Sequence, residues 1–87
     1  MPVTNSSVSV GTAITEVAGP SIASKLVYLQ DGDSGDTEVF VGGTGVTTSD
    51  GVKLSKTNTT VFQMNADDVL YAIGSGATSA VRVVSVV

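Results

Sequence analysis

The chain has no cysteine and no histidine. Without thiols it can form no disulfide and no thiolate metal centre. Without imidazole it lacks the commonest zinc ligand and the side chain most used as a general base near neutral pH. Positive charge is almost as scarce: Lys25, Lys53, Lys56 and Arg82 are the only basic residues among 87, against eight acidic ones, for a net charge of −4. Proteins that bind nucleic acid draw much of their affinity from a basic surface facing phosphates. Four scattered cations make no such surface, so no nucleic-acid partner is expected. No apolar run approaches the ~20 residues that span a bilayer. The opening MPVTNSSVSV has neither the basic stretch nor the apolar core of a secretory leader. The expectation is a soluble chain made in the cytoplasm, without membrane contact.

Charged residues amount to 14% and hydrophobic ones to 41%, the reverse of the high-charge, low-hydrophobicity balance of disordered chains. Val, Thr, Ser, Gly and Ala dominate and leucine is rare, which is a strand-forming composition. So short a chain makes one domain with a modest core. Small folds need a staple, and with disulfides and thiolate metals gone, self-association is the staple that remains.

Strand signals recur at roughly ten-residue spacing. Val8 and Val10 alternate with Ser7 and Ser9 in a stretch that reads as an edge strand or an N-terminal arm over residues 1–12, ahead of a single β domain over 13–87. Gly19-Pro20 breaks the run that follows. KLVYLQ (25–30) and TEVFV (37–41) are strands across the turn DGDSGD, an arrangement that predicts an antiparallel hairpin. TTVFQM (59–64), VLYAI (69–73) and AVRVVSVV (80–87) complete the set, with a brief extended piece at Val52-Lys53-Leu54 and at most one helical turn over 21–25. The fold class is all-β: a small antiparallel β-sandwich or jelly-roll-like barrel of six to eight short strands.

Three glycines close the strand VFVGGTGVTTSDG (39–51) and raise the question of a phosphate cradle. A P-loop needs Lys and Ser/Thr after its last glycine and then a helix; here Gly45 is followed by Val46, Thr47 and Thr48, and the chain goes on to another strand. Gly42, Gly43, Gly45 and Gly51 are therefore expected to be structural turn residues that supply positive φ at a β-corner. Asp31 to Asp36 alternates carboxylates with glycine and serine, as a cation loop would. It lacks the bidentate acid at its twelfth position, where Gly42 stands, so a turn is expected and cation binding is left open. Asp67 and Asp68 read as solvated turn residues. With no His and three lysines, no activated nucleophile is visible, and neither a catalytic residue nor a cofactor is expected. The aromatics Tyr28, Phe40, Phe62 and Tyr71 all fall inside strands, where core packing accounts for them. The last strand is apolar on both faces, so it is either central in a sheet or covered by a partner. Val8, Val10, Val84 and Val86 are the candidate partner interface.

Taken together, VFVGGTGVTTSDGVKL and DDVLYAIGSGATSAVRVV resemble a set of small phage- and prophage-encoded β-sandwich proteins of the virion, among them capsid decoration and head-fibre-like proteins. The likeness covers roughly residues 25–86. It departs between Leu54 and Val61, where SKTNTT lacks the Pro-Gly or Ala-Gly turn common in such proteins. The resemblance implies a non-enzymatic virion component on the capsid exterior that decorates or cements the shell. Its partners would be the major capsid protein and copies of itself, most often as a homotrimer. A low-copy tail, fibre or adaptor module, or a module binding host-surface glycan or protein, is the alternative.

Overall fold

Strands are the only regular elements in the computed structural model, which describes residues 3–20, 24–32, 37–76 and 78–86. They are β1 (Val3–Val10), β2 (Thr15–Ala18), β3 (Lys25–Asp31), β4 (Val39–Gly42), β5 (Val52–Lys53), β6 (Thr60–Met64), β7 (Leu70–Gly74) and β8 (Ser79–Val86). They form two four-stranded antiparallel sheets, ordered β1-β8-β3-β6 and β2-β7-β4-β5.

The order follows from one operation on the chain. Among the described residues β4 and β5 are the only strands adjacent in sequence that also pair, so residues 43–51 are the tip of a long hairpin. Its two arms zip outward from that tip: β4 with β5, β3 with β6, β2 with β7 and β1 with β8. The hairpin then rolls up, bringing β8 beside β3 and β7 beside β4. This is a jelly roll, two sheets facing one another rather than a closed barrel. The radius of gyration is 12.0 Å.

Alternation within each strand puts one set of side chains between the sheets. Val10, Val27, Leu29, Val81 and Val83 meet Val17, Val39, Val41, Leu70 and Ala72 there, with Leu54 and Met64 closing the cluster. Burying a Val or Leu side chain contributes roughly 1.5–3 kcal/mol, and this core is built almost wholly from such residues.

The expected hairpin between 25–30 and 37–41 does not form. β3 is flanked by β6 and β8, and β4 lies in the opposite sheet. The two strands instead face each other across the core through Val27, Leu29, Val39 and Val41. Of the segment 1–12, Val3–Val10 takes the edge-strand form: β1 keeps eight consecutive register positions with β8. β8 is central, so both its edges are paired; that does not account for the apolar residues Val84 and Val86 on its outer face. The expected helical turn at 21–25 falls largely on residues 21–23, outside the described residues.

Candidate functional site

The glycine corner is a hairpin tip plugged by a valine. Val46 is buried although it lies in the loop, its N–H donates to the Gly43 carbonyl at 3.1 Å, and Gly51 N–H donates to the Thr47 carbonyl at 3.0 Å. Asp50 Oδ1 accepts from Thr47 N–H at 2.7 Å and from Thr47 Oγ1 at 2.8 Å. Those bonds hold the Asp50 carboxyl below the usual range, the backbone donor contributing most. The hollow beside Gly42–Val46 is about 130 Å³ and carries this carboxylate on its wall, so a phosphate would meet negative charge there.

Only Gly45 has the left-handed backbone expected of the corner, at φ 83°. Gly42 and Gly51 serve a different need. A Cβ on Gly42 would stand 2.9 Å from Val46 Cγ2, and one on Gly51 would stand 2.8 Å from both Val46 Cγ2 and Phe40 Cβ. They are glycines because Val46 occupies their side-chain space. Gly43 meets neither condition, since its Cβ would touch nothing.

The first acid of the DGDSGD turn points inward. Asp31 is the buried end of a small polar cluster: Ser79 Oγ donates to its Oδ1 at 2.7 Å and Lys56 Nζ to its Oδ2 at 2.8 Å. Lys56 Nζ also donates to the Thr37 carbonyl at 2.8 Å, and Gln30 Nε2 donates to the Lys56 carbonyl at 2.8 Å. The segment between β5 and β6 is thereby strapped to β3 and to the Thr37 carbonyl. Beside it lies a cleft of about 630 Å³ lined by Asp31, Glu38, Lys53, Leu54 and Lys56. Lys53 and Glu38 pair across it at 3.0 Å. Each carboxylate in the cleft is thus engaged by a lysine, which fits a structural junction better than acid–base chemistry. Among the described residues no three acidic side chains gather as a cation site would require. Asp33 and Asp36, which the cation reading needs, lie outside the described residues.

The candidate interface splits in two. Val10 is fully buried and Val8 packs on the core, so their side chains belong to the chain's own interior and are corrected out of the interface. The cause is register: Val8 and Val10, two apart on β1, share the face that points between the sheets. Val84 and Val86 lie on the outer face, half-buried. There the register sets Val61, Tyr28, Val84 and Asn5 in one row, and Gln63, Leu26, Val86 and Val3 in the next. Val3 is 63% exposed, Val61 50% and Leu26 38%. The sheet therefore presents an apolar stripe to solvent.

Core packing does not account for the aromatics as expected. Phe62 packs at the core margin, but Tyr28, Phe40 and Tyr71 occupy alternate positions to the inward Val27, Val39, Leu70 and their neighbours, and so face outward, half-buried. The outer stripe was visible to sequence reading only as a strand apolar on both faces. Its neighbours across the sheet come from distant segments.

No family model, no curated protein and no solved structure matches the chain.

Proposed function

We propose that the chain is a non-enzymatic structural protein of a phage particle, which decorates and stabilises the capsid exterior through contacts with the major capsid protein and with copies of itself. The observation that carries this reading is the open face of the β1-β8-β3-β6 sheet. A long uncharged edge strand lies beside an apolar stripe that includes Val3, Leu26, Val61 and Val84. Isolated exposed apolar side chains are ordinary, but a contiguous patch marks a contact surface.

Other support comes from the likeness of residues 25–86 to virion proteins and from the jelly roll, an architecture that capsid domains use, as do lectin domains. Fold analogy does not by itself assign a role. A cement needs many modest contacts repeated by symmetry, where avidity does the rest, and a small rigid sandwich suits that task. Mass-spectrometric counting in gradient-purified particles made from the encoding phage genome tests the reading. About one copy per capsid subunit supports decoration. A few copies point to a fibre, tail or vertex, and absence overturns the virion role.

Tyr28 favours one second reading, a module that binds host-surface glycan. Its ring stands half-exposed between Val61 and Val84, where a sugar face can stack. On that reading Tyr28→Ala abolishes binding to host cells and leaves the thermal midpoint nearly unchanged. Cell binding that survives Tyr28→Ala removes it.

A further inference from the structure

Four strands end the two sheets: β2 and β5 in one, β1 and β6 in the other. Three of these edges are short or guarded. β2 has four residues, a register shift between Glu16 and Ala18, and an exposed carboxylate at Glu16. β5 has two residues, one of them the exposed Lys53, and β6 has five. Bulges, charges and brevity are the usual devices that stop an edge from pairing with another chain. β1 has none of them. It runs for eight residues without a charge, a proline or a break in register.

The register also says where its backbone groups point. Gly32 N–H donates to the Ala80 carbonyl at 2.8 Å, so the even-numbered residues of β8 turn their backbone toward β3. Backbone groups alternate sides along an antiparallel ladder. Ser79, Val81, Val83 and Ser85 therefore turn toward β1, where they face Val10, Val8, Ser6 and Thr4. Val3, Asn5, Ser7 and Ser9 hold their N–H and C=O groups out from the edge, and among the described residues no strand lies beside them.

We infer that β1 pairs antiparallel with β1 of a second copy of this chain, across a two-fold axis beside Ser6, joining two four-stranded sheets into one of eight. This deepens the assembly role proposed above and rests on that reading. With the axis there, Val3 comes opposite Ser9 and Asn5 opposite Ser7. All four outward residues of each copy then pair, for about eight backbone hydrogen bonds at two per pair. Moving the axis by one residue leaves fewer pairs. The side chains that meet are Val, Thr, Asn and Ser, so no like charges face each other even though each molecule carries −4. A second copy is the occupant because the strand is its own complement, as a two-fold interface requires. Such an edge buries less than the roughly 1,200–2,000 Å² of a standard interface, so micromolar association is expected. Salt that screens the −4 charges should tighten it.

Sedimentation velocity of the full chain at low and high micromolar concentration tests this, together with two variants. Ser7→Pro removes an outward N–H and leaves the β1–β8 bonds intact. Asn5→Lys keeps every backbone group but brings positive charges together near the axis. The expected result is a wild-type dimer, both variants at least tenfold weaker, unchanged far-ultraviolet circular dichroism, and amide exchange slowed at Asn5, Ser7 and Ser9 as the dimer forms. Should Ser7→Pro fail to fold, Asn5→Lys and the exchange pattern decide. A wild-type monomer throughout, a trimer, or an Asn5→Lys dimer of full strength overturns the pairing. A monomer still abundant in particles sinks the pairing and leaves the virion role standing; a dimer absent from particles does the reverse.

Discussion

Gly51 stands where the two sides of the hairpin tip nearly touch, with Phe40 Cβ, Val46 Cγ2 and the Thr47 carbonyl around its missing side chain at 2.8, 2.8 and 3.1 Å. Gly51→Ala must displace backbone or the buried Val46, and forcing a methyl into such a site costs about 1–3 kcal/mol. Gly43→Ala meets no atom and sits at ordinary φ, so it is expected to be neutral or to stabilise by about 0.4–1 kcal/mol through the unfolded state. Urea unfolding of the two variants should place them on opposite sides of wild type. Asp50 gives the same loop a pH dependence. Its folded-state pKa is depressed by the Thr47 donors, so its contribution is present above the pKa of an ordinary aspartate, roughly 4, and is lost as pH falls through the lower folded value. Asp50→Asn should shrink the drop in melting temperature between neutral pH and pH about 3 relative to wild type. An equal drop in both proteins would show that the loop bonds do not report on folding.

At the scale of elements, the decisive feature is the strap from Ser55 to Asn58. β5 is two residues long and exposed, too short to hold the following segment by its ladder alone. Lys56 reaches the buried Asp31 instead, while Asp31 N–H donates to the Ser55 carbonyl at 3.1 Å. Losing Lys56 takes from the buried Asp31 carboxylate the ammonium at its Oδ2, and breaking a buried ion pair is costly. Lys56→Met should therefore destabilise by about 3 kcal/mol, the low end for such pairs because a third of its side chain reaches solvent. Lys53→Met breaks a pair that is about half exposed on both sides and should cost no more than about 1 kcal/mol. Chemical denaturation separates the two, and equal losses would remove the strap's special role. The placement of β1 matters here too. Removing residues 2–12 would strip Val10 from the core and uncover β8, so point changes at outward positions are the sounder probes of this edge.

At the scale of the whole molecule, the rolled hairpin sets the folding problem. Apart from the β4–β5 tip, every paired strand has a partner distant in sequence. Topologies dominated by such contacts fold in milliseconds to seconds. Stopped-flow refolding is expected in that range, with Gly51→Ala slowing it if the tip forms first. Folding in microseconds would contradict the topology's control of the rate. The same architecture concentrates hazard on one sheet, because rolling up leaves β1 as an edge and gathers Val3, Leu26, Val61 and Val84 onto one outer face. Among the described residues the other long strands, β3 and β8, are paired on both sides.

Much of this could be read from the residues in order. Alternation over Val39–Val41 and Phe62–Met64 sorted side chains onto shared faces, because neighbours on a strand point to opposite sides whatever the strand pairs with, but it did not say which face turns inward. The Gly/Asp/Ser clusters marked the corners, and the lack of His and Cys narrowed the chemistry. Partnership between strands was not legible. The two strands around DGDSGD are near in sequence yet lie in different sheets, since pairing is decided by which edges remain free once the long hairpin has rolled. The same holds for Asp31, whose turn composition hid a buried ion pair with a lysine twenty-five positions away, and for Tyr28, whose outward face depends on the sheet it joins. Local pattern determined the strands and the glycine corner at 42–51. Only the tertiary structure decided that, among the described residues, β1 ends a sheet with the outward backbone groups of four residues unpaired by a neighbouring strand, because an edge exists only relative to the strands that are not beside it.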